Sequence, residues 1–292
     1  MLRYIPINDN GLIAYSDPAW VEHMLPSDSL KKRIVRTVCR LPIIKFLLPK
    51  FDGKVLFRSG TVDLEQVLTV VNRVIPSPDI SAVFVNGGRE PPRIYVWLEA
   101  NSDDYFLKIG TSNDYELFEN EVALFKNHPP DGVHLIRPLS VLRFGELSML
   151  VSEGFSLQMR ERKRRLLPRD IIARFKVGGF PPEGFFGGPV HGDLAGNNVF
   201  AIDDDVYVLD WEFSSPEGPS YCDLVELITA ILFHENVKPV GIRDLQALVT
   251  QLTDLELPDN VLWDALNFLA TRNNPNALRF FATNTGLNLA ER

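Results

Sequence analysis

The stretch HGDLAGNNVFAIDDDVYVLDWE, from His191 to Glu212, constrains the fold of this chain more than any other. It reads as a tight polar loop, a short strand and a hairpin whose second strand, Val206 to Leu209, delivers Asp210 at its end. A carboxylate at the end of an apolar strand needs partners, because burying it alone costs several kcal/mol. Asp193 and Asn198 precede it at the spacing H-x-D-x-x-x-x-N, and one hairpin separates Asn198 from Asp210. Asp203, Asp204 and Asp205 have the composition of an exposed turn and are given no role.

At HGDLAGNN and LDWE the chain resembles the aminoglycoside phosphotransferase and choline kinase group, small-molecule kinases related to protein kinases, which would show H-R-D and D-F-G there. The resemblance implies an α+β, two-lobed protein-kinase-like fold with a five-stranded antiparallel N-lobe sheet and a mainly helical C-lobe. It also implies transfer of the γ-phosphoryl group of ATP to a small-molecule hydroxyl, with Mg2+ as the second cofactor. Such a hydroxyl must be aimed and must lose its proton late, a task for Asp193. Magnesium takes oxygen ligands, which Asn198 and Asp210 supply. By the same resemblance Glu212 matches the second carboxylate of the metal pair. Asp223, in PSYCDLVEL, matches an aspartate that opens a buried helix and holds the catalytic loop's backbone amides. His191 is expected to brace the loop, and Gly192 to let backbone approach closely.

Upstream, Ser81–Val85, Arg93–Leu98, Tyr105–Ile109, Leu139–Arg143 and Leu147–Val151 read as the five strands. Lys108 stands in the third strand, where a kinase places the lysine that contacts phosphates. The helix that follows is expected over about Asp114 to Lys126, capped by Asn113 with Glu116 three residues on. Leu117, Phe118, Leu124 and Phe125 form its apolar face, and Glu121 falls among them while Glu119 falls on a mixed surface. The family's lysine–glutamate pair therefore maps onto Lys108 and Glu121, with Glu119 the runner-up. Gly87 and Gly88, in NGGREPP, lie where backbone amides would cover ATP. By the same resemblance Ser152 and Gly154 fall at the hinge and are expected as adenine contacts.

A helix is expected over Thr61 to Val74, and others over Asp223–Phe233, Ile242–Leu252, Val261–Thr271 and Asn276–Ala282. Residues 1–60 are set apart as an extension, with 61–152 as the N-lobe and 153–292 as the C-lobe. From Lys31 to Lys50 the extension carries seven Lys/Arg and no acid. This stretch reads first as a helix packing its apolar stripe on its own domain, and second as a basic amphipathic face for an anionic membrane. The segment from Gln158 to Lys176 holds eight basic residues against two acidic, which favours a neutral or anionic acceptor such as a sugar over a cationic one. GGFPPEGFFGGP supplies a loop into the catalytic stretch.

A net charge of −8 argues against nucleic acid as a partner. Cys39 and Cys222 form no C-x-x-C, no apolar run approaches a membrane span, and the start MLRYIPINDNG lacks a secretory core. The expected setting is the cytoplasm, with contact at the inner face of a membrane as the further expectation for 31–50. A nucleotide-binding pseudokinase or scaffold is the alternative reading of the same residues.

Overall fold

The computed structural model describes residues 2–8, 11–17, 20–21, 48–57, 60–86, 93–127, 134–154, 163–176, 189–194, 198–203, 205–234, 241–272, 277–278 and 280–281. Gly87, Gly88, the basic stretch up to residue 47 and the Gly/Pro loop over 178–188 lie outside the described residues. The chain divides into two compact units, one of Met1–Glu119 with Arg137–Arg162 and the other of Asn120–Ile136 with Lys163–Arg292.

The first unit opens with β1 (Arg3–Asn8) and β2 (Gly11–Tyr15), followed by β3 (Lys54–Phe57), β4 (Gly60–Asp63) and α1 (Leu64–Val71). Next come β5 (Asp79–Asn86), β6 (Arg93–Ala100) and β7 (Asp103–Thr111), which lead into α2 (Tyr115–Asn127). After β8 (His134–Leu135), which belongs to the second unit, β9 (Pro138–Phe144) and β10 (Leu147–Glu153) return to the first. Seven strands pair antiparallel in the order β1-β2-β5-β6-β7-β10-β9. Five are the strands expected from alternation. The other two, Arg3–Asn8 and Gly11–Tyr15, come from residues 1–60 and pair into the same sheet.

Alternation gives the sheet two apolar faces. Val83, Val85, Ile94, Val96, Leu107, Ile109 and Met149 pack with Val67, Val70 and Val71 of α1. On the opposite face Ile13, Tyr15, Ala82 and Trp97 pack with Trp20 and Val21, and Phe84, Tyr95 and Phe106 stack across three neighbouring strands. Helix α1 begins later than periodicity suggested. Thr61 and Val62 are β-branched and pair with Leu56 and Val55, and the Asp63 side chain then caps the helix by accepting the Glu65 N–H at 3.0 Å.

The entry to α2 also differs from expectation. Thr111 and Asp114, not Asn113 and Glu116, make the cap: the Thr111 N–H donates to Asp114 Oδ2 at 2.9 Å. Asp114 is drawn inward because the guanidinium of Arg93 donates to its other oxygen at 2.6 Å, both residues being buried. Arg93 also lies over the ring of Phe118, 5.3 Å from its centroid.

The second unit holds β8, β11 (Lys163–Arg165), α3 (Pro168–Lys176), β12 (Val199–Ile202), β13 (Asp205–Val208), α4 (Cys222–His234), α5 (Ile242–Thr253) and α6 (Asp259–Thr271). Its sheet runs β11-β12-β13-β8, with β8 the one parallel neighbour. The core collects Ile171 and Ile172 from α3, Leu227 and Ile231 from α4, Val249 from α5, Leu266 from α6, and Trp211. Helix α4 is the buried apolar helix expected, yet it also buries Asp223, Glu226 and Thr229. Among the described residues no helix is long and apolar enough to cross a membrane.

Candidate active site

The loop after residue 190 is built on two buried carboxylates of α4. Asp223 accepts the N–H of His191 on both oxygens, at 3.0 and 3.1 Å, and the N–H of Gly192 at 3.1 Å. Glu226, one helical turn on, accepts the N–H of Leu194 at 2.8 Å. Successive amides of a polar loop thus find acceptors inside the core, where losing one would leave a buried donor unsatisfied. Gly192 has φ +78°, and a Cβ there would stand 2.7 Å from the Phe213 carbonyl oxygen, so both conformation and space require glycine.

His191 is fully buried and uses both ring nitrogens. Nδ1 accepts the Asp193 N–H at 3.2 Å, which assigns the proton to Nε2, and Nε2 donates to the Leu209 carbonyl at 2.8 Å. Its ring packs on Trp211, 4.6 Å between centroids. The histidine therefore ties the loop to the end of the β13 segment.

Asn198 turns its Nδ2 toward Asp193, donating to the backbone carbonyl at 2.8 Å and to Oδ2 at 3.1 Å. Its amide oxygen consequently faces away from Asp193. Asp210 sits in the left-handed region, φ +65°, and begins the single 3-10 turn Trp211–Phe213. One carboxylate oxygen each from Asp210, Glu212 and Glu121 lie within 4.8 Å of one another, with Glu121 and Glu212 buried. Burial, then the negative charge of Asp210, then that of Glu212, push the Asp193 carboxyl up to about 7, against a downward pull from the Asn198 hydrogen bond. Burial likewise raises Asp223 to about 6, opposed by the amides of His191 and Gly192.

The second unit thus brings together His191, Gly192, Asp193, Asn198, Asp210, Glu212 and Asp223, and adds Glu121 through α2. Glu121 is buried and Glu119 exposed, as helical spacing placed them. The clustered donor set is oxygen only, the three carboxylates of Glu121, Asp210 and Glu212. Such a set fits a hard divalent cation, magnesium included.

Lys108, Ser152 and Gly154 belong to the first unit. Lys108 is buried on β7, opposite Tyr95 of β6 and Leu150 of β10. Ser152 is buried opposite Phe106. The Gly154 N–H donates to the Asp104 carbonyl at 2.8 Å, and a Cβ on Gly154 would come 2.7 Å from the Tyr105 nitrogen. That N–H is already engaged, so a base contact by Gly154 would run through its carbonyl.

No family model matches the chain, and no curated protein matches it. The solved structures it is similar to include aminoglycoside phosphotransferases. Aminoglycoside phosphotransferase APH(4)-Ia aligns at TM-score 0.45 and 11% identity, over 76% of this chain and 97% of that one. A putative aminoglycoside phosphotransferase from Ralstonia eutropha JMP134 aligns at 0.39 and 12%, over 78% and 92%. WbdD, solved with the kinase inhibitor LY294002, aligns at 0.34 and 18%, over 62% and 43%. The functional reading rests on the site's own residues.

Three residues of the site escaped the sequence reading. Glu226 was within reach, because an acid three residues after Asp223 in an apolar helix carries the same cue that singled out Asp210. Asn120 and Arg272, which hydrogen-bond the 212–214 backbone, had no local cue at all.

Proposed function

We propose that this protein is a phosphotransferase that moves the γ-phosphoryl group of magnesium–ATP to a hydroxyl of a small molecule, a sugar or saccharide-containing metabolite being the acceptor class. The observation that carries the proposal is the state of Asp193: a half-buried carboxylate, oriented by Asn198 and crowded by Asp210 and Glu212. A carboxyl raised toward neutrality accepts a proton readily at the pH of the cell, which is what an attacking hydroxyl requires.

In this reading the acceptor O–H hydrogen-bonds Asp193. As the new O–P bond forms and the bond from the γ-phosphorus to the β–γ bridging oxygen breaks, the hydroxyl proton passes to Asp193 and ADP leaves. Asn198, Asp210 and Glu212 would hold magnesium, which when bound neutralises charge on the phosphates. Asp223 keeps the loop rigid from beneath, and His191 fixes it to Leu209. Lys108 is assigned to the phosphates and Ser152 with Gly154 to the adenine, while Glu121 is assigned to the carboxylate cluster. The basic residues around Arg169 and Arg174 support an acceptor that is not a cation.

The test is a screen of sugars and sugar phosphates with magnesium–ATP, read by mass spectrometry as a product gaining one phosphate. Phosphorylation of an acceptor, lost in Asp193→Asn with ATP binding retained, is the expected result. Magnesium-dependent ATP binding with no consumption against any acceptor would overturn the enzyme reading and favour the scaffold.

A further inference from the structure

We infer that Asn120 and Arg272 are positioning residues for the site proposed above: they hold the backbone of 212–214 in the path that keeps the Asp210 and Glu212 carboxylates together. The inference rests on that reading and deepens it.

The physical problem is repulsion. Three carboxylates with oxygens within 4.8 Å of one another repel, and an anchored backbone helps to hold them together. The segment from Leu209 to Ser215 has little means of anchoring itself. It contains one left-handed residue and one short turn, closed by Ser214 donating its N–H at 3.0 Å and its hydroxyl at 2.5 Å to the Trp211 carbonyl. The two ends are tied, Leu209 by His191 and Ser215 by a reciprocal pair with Val190 at 2.8 and 2.9 Å.

The three carbonyls between Trp211 and Ser215 fall to two side chains. Asn120 Nδ2 donates to Glu212 at 3.2 Å and Ser214 at 3.0 Å; Arg272 Nη1 donates to Phe213 at 2.7 Å and Ser214 at 3.2 Å. Arg272 is itself fixed over the ring of Phe268, 4.7 Å from its centroid. A guanidinium suits the task, since it keeps its charge and offers several donors in a fixed plane.

The placement has a further logic. Asn120 precedes Glu121 on α2, so adjacent residues supply one carboxylate to the cluster and the amide that restrains the strand-end segment carrying the other two. Arg272 follows the last turn of α6, which connects the far end of the helical unit to the same carbonyls.

The probe is Mn2+ alone, titrated into the full chain and read by electron paramagnetic resonance as loss of free-ion signal. Wild type, Asn120→Ala, Arg272→Ala, Arg272→Lys and Glu212→Gln are compared, with hydrogen exchange of the 212–215 amides followed in parallel. Arg272→Ala and Asn120→Ala are expected to weaken Mn2+ binding by about ten-fold, the usual cost of losing a group that orients a ligand. Arg272→Lys should recover part of the loss, and exchange should accelerate at 212–215 while β12 and β13 stay protected. Should Arg272→Ala fail to fold, Arg272→Lys and Asn120→Ala carry the test. Folded variants that bind Mn2+ as wild type does, while Glu212→Gln does not, would overturn the clamp and leave the metal reading standing. A wild type that binds no Mn2+ would overturn the metal reading itself and the clamp with it.

Discussion

Asp114 in the first unit is a buried carboxylate and Asp193 in the second a half-buried one, and the molecule treats them in opposite ways. Asp114 has a guanidinium at 2.6 Å and spends its other oxygen on a helix cap. Asp193 has only an amide donor from Asn198, and burial together with the charges of Asp210 and Glu212 lifts it to about 7 against that hydrogen bond. A buried charge answered by an opposite charge is a rivet. One surrounded by like charges is destabilised in its ionised form and gains from taking a proton or facing a cation.

Substitution at these two positions should therefore separate function from stability. Asp193→Asn is expected to lower turnover by about a hundred- to ten-thousand-fold while leaving the melting temperature equal or higher, because a repelled charge is removed. Turnover within a few-fold of wild type would end the assignment. Asp114→Asn should do the reverse, costing about 3–5 kcal/mol in chemical denaturation by leaving Arg93 buried without its carboxylate. A loss well under 1 kcal/mol would show that the pair is not the rivet described.

Asp223 is intermediate, a buried carboxylate satisfied by backbone amides, and its effect should depend on pH. Its native value of about 6 lies above the ordinary 3.8, so the folded protein binds this proton more tightly than the unfolded chain does. The stability linked to it is full below about pH 4 and is lost as pH rises through about 6, a change of about 3 kcal/mol. Denaturation of wild type and Asp223→Asn at pH 4 and pH 7 isolates it: the variant should lack that slope. A difference between the two proteins that does not vary with pH would mean the carboxyl titrates normally. The smallest effect is expected at the surface. Replacing Lys31, Lys32, Arg33 and Arg36 by Gln should reduce sedimentation with anionic liposomes, by about 1 kcal/mol for each charge that reaches the bilayer, and unchanged partitioning would end the membrane proposal.

Much of the molecule could be read locally. Alternation found five strands of the large sheet, helical spacing put Glu121 inside and Glu119 outside, and the H-x-D-x-x-x-x-N spacing gathered residues that the structure joins by hydrogen bonds. What stayed hidden is non-local. Glu121 meets Asp210 and Glu212 from some ninety residues away, and no periodicity in α2 announces that neighbourhood. Asp114 looked like an ordinary helix-start acid until Arg93 supplied the reason for its burial. The missed β1–β2 pair is a different case. Asn10–Gly11 between two apolar runs is a hairpin cue, and it was legible.

That pair has a practical side. Strand β2 hydrogen-bonds along β5 from Leu12 to Tyr15. A shortened protein beginning after Tyr15 would bare those β5 amides and carbonyls, a template onto which other chains can add strands. Trimming at residue 60 to obtain a tidier catalytic fragment should yield aggregates rather than a smaller enzyme, and the charge-neutralised full chain is the sounder reagent for asking what the basic stretch does.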